Sequence, residues 1–355
     1  MRLLAAISHH GLGHLAQAAP VLNALREARP GIDLTVWSGL SESALRARLQ
    51  QPFRHRAEAA DIGLLMRDAV RVDVDSSRRA YLDFHRNWSA RVANEAAWLR
   101  AQAFDAVFAD VAYLPLAAAA QAAIPAAALC SLNWYDIATA YLADHADMEQ
   151  PLRHMRAAYQ AVAMFLCPQP SMPMHWLDHR LDLPPIAARG VARRRVLEQG
   201  ARDGQRARLV LVGFGGIGYQ GVGRLPELPG ISWIVPDDWI AGRDDAIALG
   251  SLDMPFLDVL ASCDALITKV GYGGFTEAAA HGLPVLYVDR PDWPETPYLS
   301  AWLAQQANCA AIDEGEMFSA TLGSRLDRLW ALPEKRVVVA DGAHSAVDHL
   351  LRLFG

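Results

Sequence analysis

The apolar and polar positions in the first half of the chain alternate between short buried runs and longer amphipathic stretches. Strand-like runs occupy residues 3–7, 33–37, 106–109 and 126–129, and the third of them ends at Asp110. Helical spacing of apolar residues follows the first and third runs, at 15–29 and 114–123. This alternation predicts a parallel sheet with helices on both faces.

The second half of the chain repeats the same pattern. Its strand-like runs are 209–212, 231–235, 265–268 and 285–288, and a last amphipathic helix is expected at 343–354. We therefore predict an α/β protein with two Rossmann-like domains, each a doubly wound parallel sheet, that face each other across a cleft.

The alternation fades between residues 148 and 205, where prolines and arginines collect. We predict an N-terminal domain at 1–180, a linker at 181–205 and a C-terminal domain at 206–355. A length of 355 residues also suggests two domains. The last helix either completes the second domain or crosses back to the first.

Composition and charge exclude several classes of protein. A formal net charge of −6 argues against a general nucleic-acid binder. A local basic run at 189–208 is either a solvated linker or helix face, or a contact for an acidic acceptor or membrane surface. The longest apolar stretch, 113–130, is interrupted by Pro115 and Pro125, so no transmembrane segment is expected.

The cysteine pattern predicts neither a zinc site nor an oxidising compartment. The four cysteines are far apart and form no C-x-x-C pair: Cys130, Cys167, Cys263 and Cys309. So few cysteines in a long chain suggest a reducing cytoplasm, and the first residues lack the core of a signal peptide. We expect a cytoplasmic protein without a metal, and peripheral membrane contact stays open.

A glycine-rich turn lies between the apolar run 265–267 and a helix expected from near Phe275. Its glycines are Gly271, Gly273 and Gly274. We expect them to bend the backbone at positive φ and to let it approach a ligand. Lys269 and the N-terminus of the helix would favour an anion such as phosphate, and Glu277 would either complement the helix dipole or accept hydrogen bonds from a ribose. The local alternatives are a diphosphate site and an ordinary tight turn.

A second turn follows the first strand and contains three histidines. They are His9, His10 and His14, which surround Gly11 and Gly13. Their spacing provides no helical pair with a carboxylate, so a metal site is not expected here. A histidine in such a turn either packs or caps the helix, or acts as a base near neutral pH. Asp110 should lie on the same sheet edge.

The turn at 269–277 resembles the donor-binding motif of GT-B glycosyltransferases. In the UDP-sugar enzymes that motif begins with a histidine and reaches a glutamate eight positions later. Lys269 and Glu277 have this separation, and lysine stands in place of the histidine. The similarity is greatest to the glycosyltransferase-like N-terminal region of plant arabinokinases, which has a similar glycine turn and a later segment resembling ETPYL at 295–299.

The resemblance implies a nucleotide diphospho-sugar, UDP-linked, as a co-substrate, with no separate cofactor. It assigns to this donor Gly215, Gly216, Lys269, Gly271, Gly273, Gly274, Thr276, Glu277, Asp292 and Glu295. Asp292 and Glu295 would contact sugar hydroxyls, with loop solvation as the alternative. The loop 213–219, which holds Gly215 and Gly216, would direct its N–H groups at the diphosphate.

The resemblance also implies a catalytic pair. His14 matches the histidine of the N-terminal Gly-His loop, which often serves as the base in GT-B enzymes. Asp110 would orient it, as in plant members of the family. His10 is the competing base, and a purely structural turn is the alternative to both.

The expected activity is transfer of a hexosyl or pentosyl group to an acceptor hydroxyl, with inversion and without a metal. The acceptor would be a small molecule or lipid-linked. Ser131, Asn133, Trp134 and Asp136 would line its side of the cleft, unless Trp134 is buried in the core. The alternatives are a GT-B-type nucleotide-sugar 2-epimerase and a non-catalytic module that binds nucleotide sugars.

Overall fold

The computed structural model of the chain describes residues 1–201, 208–216, 218–219, 224–240 and 242–355. Parts of three predicted segments lie outside the described residues: the linker 181–205, the basic run 189–208 and the glycine loop 213–219. The described residues form two parallel sheets with helices on both faces, which confirms the predicted fold class.

The first sheet is built from β1 (Arg2–Ile7), β2 (Asp33–Trp37), β3 (Arg54–Arg56), β4 (Ala106–Asp110), β5 (Ala126–Leu129), β6 (Met164–Pro168) and β7 (Arg180–Leu183). Its order is β3-β2-β1-β4-β5-β6-β7, and neighbouring strands are parallel. Because β1 lies next to β4, Ile7 is in register with Asp110, and the residues that follow both strands meet at one edge.

Strand β1 shows why an apolar run without alternation becomes a central strand. Leu4 and Ala6 face one hydrophobic cluster, and Leu3, Ala5 and Ile7 face another on the opposite side of the sheet. Successive side chains of a strand point to opposite faces. A strand covered by helices on both faces is therefore apolar at every position.

The helices that accompany the first sheet are α1 (Gly13–Ala28), α2 (Glu42–Arg46), α3 (Val74–His85), α4 (Trp88–Ala101), α5 (Tyr113–Ala122), α6 (Trp134–Leu142) and α7 (Glu149–Gln160). A short helix, α8 (Arg194–Gly200), follows β7. Strand β7 straddles the predicted division at residue 180.

The second sheet contains β8 (Arg208–Val212), β9 (Ile231–Val235), β10 (Ala246–Ala248), β11 (Ala265–Lys269), β12 (Val285–Val288) and β13 (Cys309–Ile312). Its order is β10-β9-β8-β11-β12-β13, again parallel. Its helices are α9 (Phe256–Ala261), α10 (Tyr272–Ala280), α11 (Thr296–Gln306), α12 (Glu314–Met317) and α13 (Thr321–Trp330).

The last helix, α14 (Gly342–Phe354), packs against α1 and so returns to the first sheet. Its residues Ala346 and Leu350 are fully buried in the same cluster as Leu15 and Leu22 of α1. The sequence left open whether this helix completes the second domain or crosses back to the first, and in the structure it crosses back to the first domain.

Several elements were not predicted from the sequence. In the stretch where the alternation fades, the structure has α7, β6 and β7. Strand β7 is RLDL, with only its last residue fully buried, because it lies at the edge of the sheet. An edge strand needs an apolar side chain only where a helix covers it, so its pattern is weak.

Within the part of the chain that the structure describes, no helix is both long enough and apolar enough to cross a membrane.

Candidate active site

A cleft of about 600 Å³ lies where the carboxyl-terminal edges of the two sheets face each other. The first domain contributes the turn after β1 and the loop after β5, and the second contributes the turns after β8, β11 and β12. The polar side chains lining it are His10, His14, Gln17, Ser131, Lys269, Arg290, Trp293 and Glu295. This edge is where parallel α/β sheets hold their ligands.

The structure brings His14 and Asp110 together at the floor of this cleft. His14 lies in the first turn of α1, Asp110 ends β4, and Nδ1 of the imidazole is 2.8 Å from Oδ1 of the carboxylate. Both residues are buried. With Nδ1 held by the carboxylate, Nε2 is the ring nitrogen that remains for a ligand in the cleft.

Burial and pairing act against each other in this pair. Burial by itself would lower the pKa of His14, but the hydrogen bond to Asp110 and the nearby carboxylates raise it above its usual value. Burial raises the pKa of Asp110 to about 6, and the hydrogen bond from His14 offsets only part of that rise. The carboxylate that raises the pKa of the imidazole also fixes the orientation of its ring, as a general base requires.

Cys130 lies beside this pair, with its sulfur 3.7 Å from Nδ1 of His14. Among the described residues, His14, Asp110 and Cys130 are the group whose ligand atoms lie close enough to hold a metal ion. Burial raises the pKa of the Cys130 thiol well above its usual value, which favours the protonated form. Nδ1 of His14 and the Asp110 carboxylate bond each other directly, so a metal ion at this place would have to replace that hydrogen bond.

His10 lines the same cleft in an environment unsuited to a base. Its ring stacks on Trp293 at a centroid distance of 5.9 Å and meets the edge of Trp134 at 5.0 Å. Burial lowers its pKa well below the usual value, and the positive charges of Lys269 and neighbouring groups lower it further. With no carboxylate to orient it, His10 fits the base role less well than His14.

Lys269 ends β11 and faces the cleft beside the N-terminus of α10. Its Nζ lies 3.7 Å from the position that a Cβ on Gly271 would occupy. Burial and, to a smaller extent, the positive charge of Arg290 lower the pKa of Lys269 to about 7, and Glu295 opposes part of this shift. An anion at this place would favour the charged lysine and would also meet the free N–H groups of the helix, because Gly271 provides no side-chain cap.

The glycines of this turn have a different role from the one expected. Helix α10 begins at Tyr272, three residues before Phe275, so Gly273 and Gly274 are helical. Gly271 has a φ of −178°, which any residue can adopt, and the expectation of positive φ was wrong. A Cβ on Gly273 would lie 2.9 Å from the Cβ of Ala16, so this glycine allows α10 to approach α1 closely.

Thr276 and Glu277 do not line the cleft. The hydroxyl of Thr276 donates to the backbone oxygen of Tyr272. The buried carboxylate of Glu277 forms an ion pair with Arg48 of the first domain. The earlier start of α10 places both side chains in its second turn, turned from the cleft toward the domain contact.

The turn after β8 places Gly215 and Gly216 on the cleft wall. Gly215 has a φ of +79°, a conformation that favours glycine. A Cβ on Gly216 would lie 2.9 Å from Cγ of Leu12, which belongs to the turn before α1. These glycines therefore bring two backbone turns from opposite domains close together.

Glu295 connects the two domains at the side of the cleft. It is buried, Ser131 donates to its Oε1 at 2.5 Å, and the indole of Trp293 donates to Oε2 at 3.4 Å. Burial raises its pKa, and these hydrogen bonds partly offset the rise. Asp292 instead lines a neighbouring open pocket of about 1020 Å³, and its backbone oxygen accepts from Tyr141.

Of the residues expected on the acceptor side, only Ser131 lines the cleft. Trp134 is fully buried and donates its indole N–H to Asp61 at 2.7 Å. Asn133 caps α6, and Asp136 accepts hydrogen bonds from Asn133 and Trp176. Trp134 is therefore buried in the core and does not line the acceptor side of the cleft.

Sequence analysis missed Arg290 as a site residue. It is 5% exposed and lines the cleft next to Lys269. Burial lowers its pKa to about 10. An arginine between two aspartates usually indicates a solvated loop, so no sequence signal distinguished it from its neighbours.

No described protein family matches the chain by its sequence profile. Among curated proteins, L-arabinokinase from Arabidopsis thaliana is 25% identical over 311 residues, which cover 82% of this chain. The chain spans 28% of the length of that protein, so the similarity concerns a part of it.

Solved structures with a similar fold cover nearly the whole chain. The calicheamicin glycosyltransferase CalG4 has a TM-score of 0.61 and 15% identity, over 100% of this chain and 98% of that one. Glycosyltransferase VinC in complex with dTDP has a TM-score of 0.59 and 17% identity, over 100% and 95%. The S. aureus MnaA–UDP co-structure has a TM-score of 0.60 and 11% identity, over 99% and 97%. The chain therefore has the GT-B fold.

Proposed function

We propose that this GT-B chain is a glycosyltransferase that moves a sugar from a nucleoside diphospho-sugar, UDP-linked, to an acceptor hydroxyl with inversion. The observation that carries the proposal is the placement of His14, held by Asp110, in the same cleft as Lys269 and the N-terminus of α10. A base and an anion site on opposite walls of one cleft match a transfer that deprotonates an acceptor and releases a diphosphate.

The diphosphate would lie between the turns after β8 and β11. Lys269 supplies the positive charge, and the N–H groups of α10 and of the turn at Gly215 and Gly216 supply donors. Similar structures that carry UDP and dTDP support a nucleoside diphosphate in this fold. Glu295, which lines the cleft, is proposed to contact the sugar, whereas the assignment of Glu277 to the ribose is not retained, because Glu277 lies outside the cleft lining and pairs with Arg48.

The chemical step needs one base and one stabilised leaving group. Nε2 of His14 takes the proton of the acceptor hydroxyl, and the acceptor oxygen forms a bond to the anomeric carbon. The bond from that carbon to the diphosphate oxygen breaks, and its electron pair stays on the diphosphate. Lys269 and the helix dipole stabilise the negative charge that develops there, so the step requires no metal.

The acceptor is proposed to be a small molecule or a lipid-linked hydroxyl compound. Gln17 and Ser131 are the polar side chains that the first domain presents to the cleft beside the histidines. Four unpaired cysteines favour a reducing compartment such as the cytoplasm.

The first experiment is thermal unfolding with UDP, GDP, ADP, CMP and dTDP and with their sugar conjugates. A ligand that binds only the folded chain raises the melting temperature once its concentration exceeds Kd. We expect a rise with a nucleoside diphosphate, largest with UDP. If no nucleotide raises it, the donor site and the proposal are wrong.

The second experiment separates transfer from binding and from epimerisation. His14→Ala should abolish transfer and keep the affinity for UDP, because the imidazole contacts the acceptor rather than the diphosphate. Incubation of the wild-type chain with the donor sugar alone should leave the sugar unchanged. Conversion of the donor without an acceptor would instead establish an epimerase.

A further inference from the structure

The guanidinium of Arg290 is buried in the cleft wall with two nitrogens unsatisfied. The residue is 5% exposed, and among the described residues neither Nε nor Nη2 has a hydrogen-bond partner. Donors of a charged group are costly to leave unpaired in a protein interior. A ligand that supplies acceptors to these two nitrogens would remove that cost.

Packing holds this guanidinium in one place. It lies over the ring of Trp293 at 4.2 Å from the centroid, in cation–π geometry. Trp293 is itself buried, stacks on His10 and donates its indole N–H to Glu295. The guanidinium of Arg290 is therefore held in one position in the cleft wall.

Two acidic side chains near Arg290 in sequence, Asp289 and Glu295, have other partners. Oδ1 of Asp289 accepts the backbone N–H of Arg290 at 2.8 Å. The two oxygens of Glu295 receive hydrogen bonds from Ser131 and Trp293. An acceptor for Nε and Nη2 must therefore come with the ligand.

The proposed diphosphate position does not require Arg290. Lys269 and the N-terminus of α10 follow β11, whereas Arg290 follows β12, the next strand, about 4.8 Å further along the sheet. The loop after β12 also holds Glu295, the residue assigned to the sugar. Arg290 thus shares its loop with Glu295, the residue proposed to contact the sugar.

We propose that Arg290 binds a carboxylate on the transferred sugar, so that the donor is a nucleoside diphospho-hexuronate. This inference rests on the proposed function. The planar guanidinium matches a carboxylate with two parallel hydrogen bonds, which an ammonium group cannot reproduce. The carboxylate would accept hydrogen bonds from this guanidinium, whose buried Nε and Nη2 have no partner among the described residues.

The test compares UDP, UDP-glucose and UDP-glucuronate, since the two sugars differ only at C6. Calorimetry should show that the wild-type chain binds UDP-glucuronate more tightly than UDP-glucose. Arg290→Gln should weaken the binding of UDP-glucuronate by about 10- to 100-fold, the loss expected for charge-assisted hydrogen bonds. The affinities for UDP and UDP-glucose should stay nearly unchanged. Arg290→Lys should lose much of the affinity for UDP-glucuronate despite its charge.

The same data distinguish failure of this inference from failure of the proposed function. Equal weakening of all three ligands would place Arg290 on the diphosphate and overturn the inference alone. A wild-type chain that binds UDP and does not prefer the hexuronate would also overturn it alone. If the chain binds none of UDP, UDP-glucose and UDP-glucuronate, the proposed function is contradicted as well. Arg153→Gln, at an exposed arginine of α7 paired with Glu149 and outside the cleft lining, is the matched control and should change none of the affinities.

Discussion

At the scale of single residues, the cleft is governed by what burial does to charge. Burial would lower the pKa of His14, but the Asp110 carboxylate, together with Asp61 and Glu295, raises it above its usual value. Lys269 has no such partner, and burial lowers its pKa to about 7. Two basic groups in one cleft are therefore shifted in opposite directions, by the presence or absence of a bonded carboxylate.

Replacement of Asp110 should lower the pKa of His14. Asp110→Asn preserves the shape of the side chain but removes the negative charge, while the burial that disfavours the imidazolium remains. NMR titration of the His14 ring, assigned with His14→Gln, should show the midpoint moving to lower pH. Asp61→Asn should lower it less, because Asp61 acts on His14 only through space. An unchanged midpoint in Asp110→Asn would contradict the pairing.

Binding of UDP at pH 8 should be accompanied by proton uptake at Lys269. With a pKa of about 7 the free lysine is mostly neutral at pH 8, and a bound diphosphate raises that pKa and charges it. Calorimetry in two buffers of different ionisation enthalpy measures this uptake. Lys269→Ala should remove this proton uptake and weaken the binding of UDP by about 1–3 kcal/mol. Undiminished affinity in this variant would contradict the assignment of Lys269 to the donor.

At the scale of elements, the contact between α1 and α10 explains a motif that was first interpreted as a turn. Gly273 is a helical residue whose missing side chain lets α10 approach Ala16 of α1. The helix N-termini beside His14 and Lys269 are brought together by this approach. The glycine pattern thus positions the site, though through helix packing rather than through loop conformation.

Gly273→Ala should destabilise the chain by about 1–3 kcal/mol, the cost typical of overpacking. The added Cβ would lie 2.9 Å from that of Ala16, which outweighs the higher helix propensity of alanine. Chemical denaturation measures the change. Gly13→Ala is the control, because a Cβ there meets no atom within 4 Å.

A second-site change provides the stricter test of this contact. Ala16→Gly removes the Cβ that the new methyl group would meet. In a chain that carries Ala16→Gly, the further change Gly273→Ala should therefore lower the free energy of unfolding much less. If the two substitutions are additive instead, the helices do not approach as the structure describes.

At the scale of the whole molecule, the two domains are joined by contacts far apart in sequence. The buried Glu277 of α10 pairs with Arg48 of the first domain, and α14 returns to pack on α1. Glu295 receives a hydrogen bond from Ser131 across the cleft. The relative placement of the two walls therefore depends on residues that no local motif connects.

Loss of Arg48 should destabilise this arrangement strongly. Arg48→Met leaves the Glu277 carboxylate buried without its partner, a cost on the order of 3 kcal/mol. The double variant with Glu277→Met should recover part of the stability, since it leaves no unpaired charge. Arg46→Met breaks an exposed pair with Glu42 and should cost under about 1 kcal/mol. Equal losses in Arg48→Met and Arg46→Met, measured by denaturation, would contradict a role for the buried pair.

The sequence predicted the central strands well and the peripheral elements poorly. Strands β2, β5, β9 and β12 have the expected bounds, because a strand covered on both faces is apolar throughout. Strand β7, at the edge of its sheet, and the helices α3 and α4 carry mixed polarity and were missed. Their polar residues face solvent, so their patterns are less distinct.

By itself, the sequence determined the two-sheet fold and the residues that end the central strands. The sequence predicted that Asp110 and the turn of His14 share one sheet edge, and the adjacency of β1 and β4 in the structure brings the two side chains together. Only the tertiary structure decided which polar groups stay unpaired. The isolation of Arg290, the engagement of Glu277 by Arg48 and the burial of Trp134 depend on which distant segments pack against them. A residue type does not specify its neighbours across a domain contact, and the free energy of a buried charge depends on those neighbours.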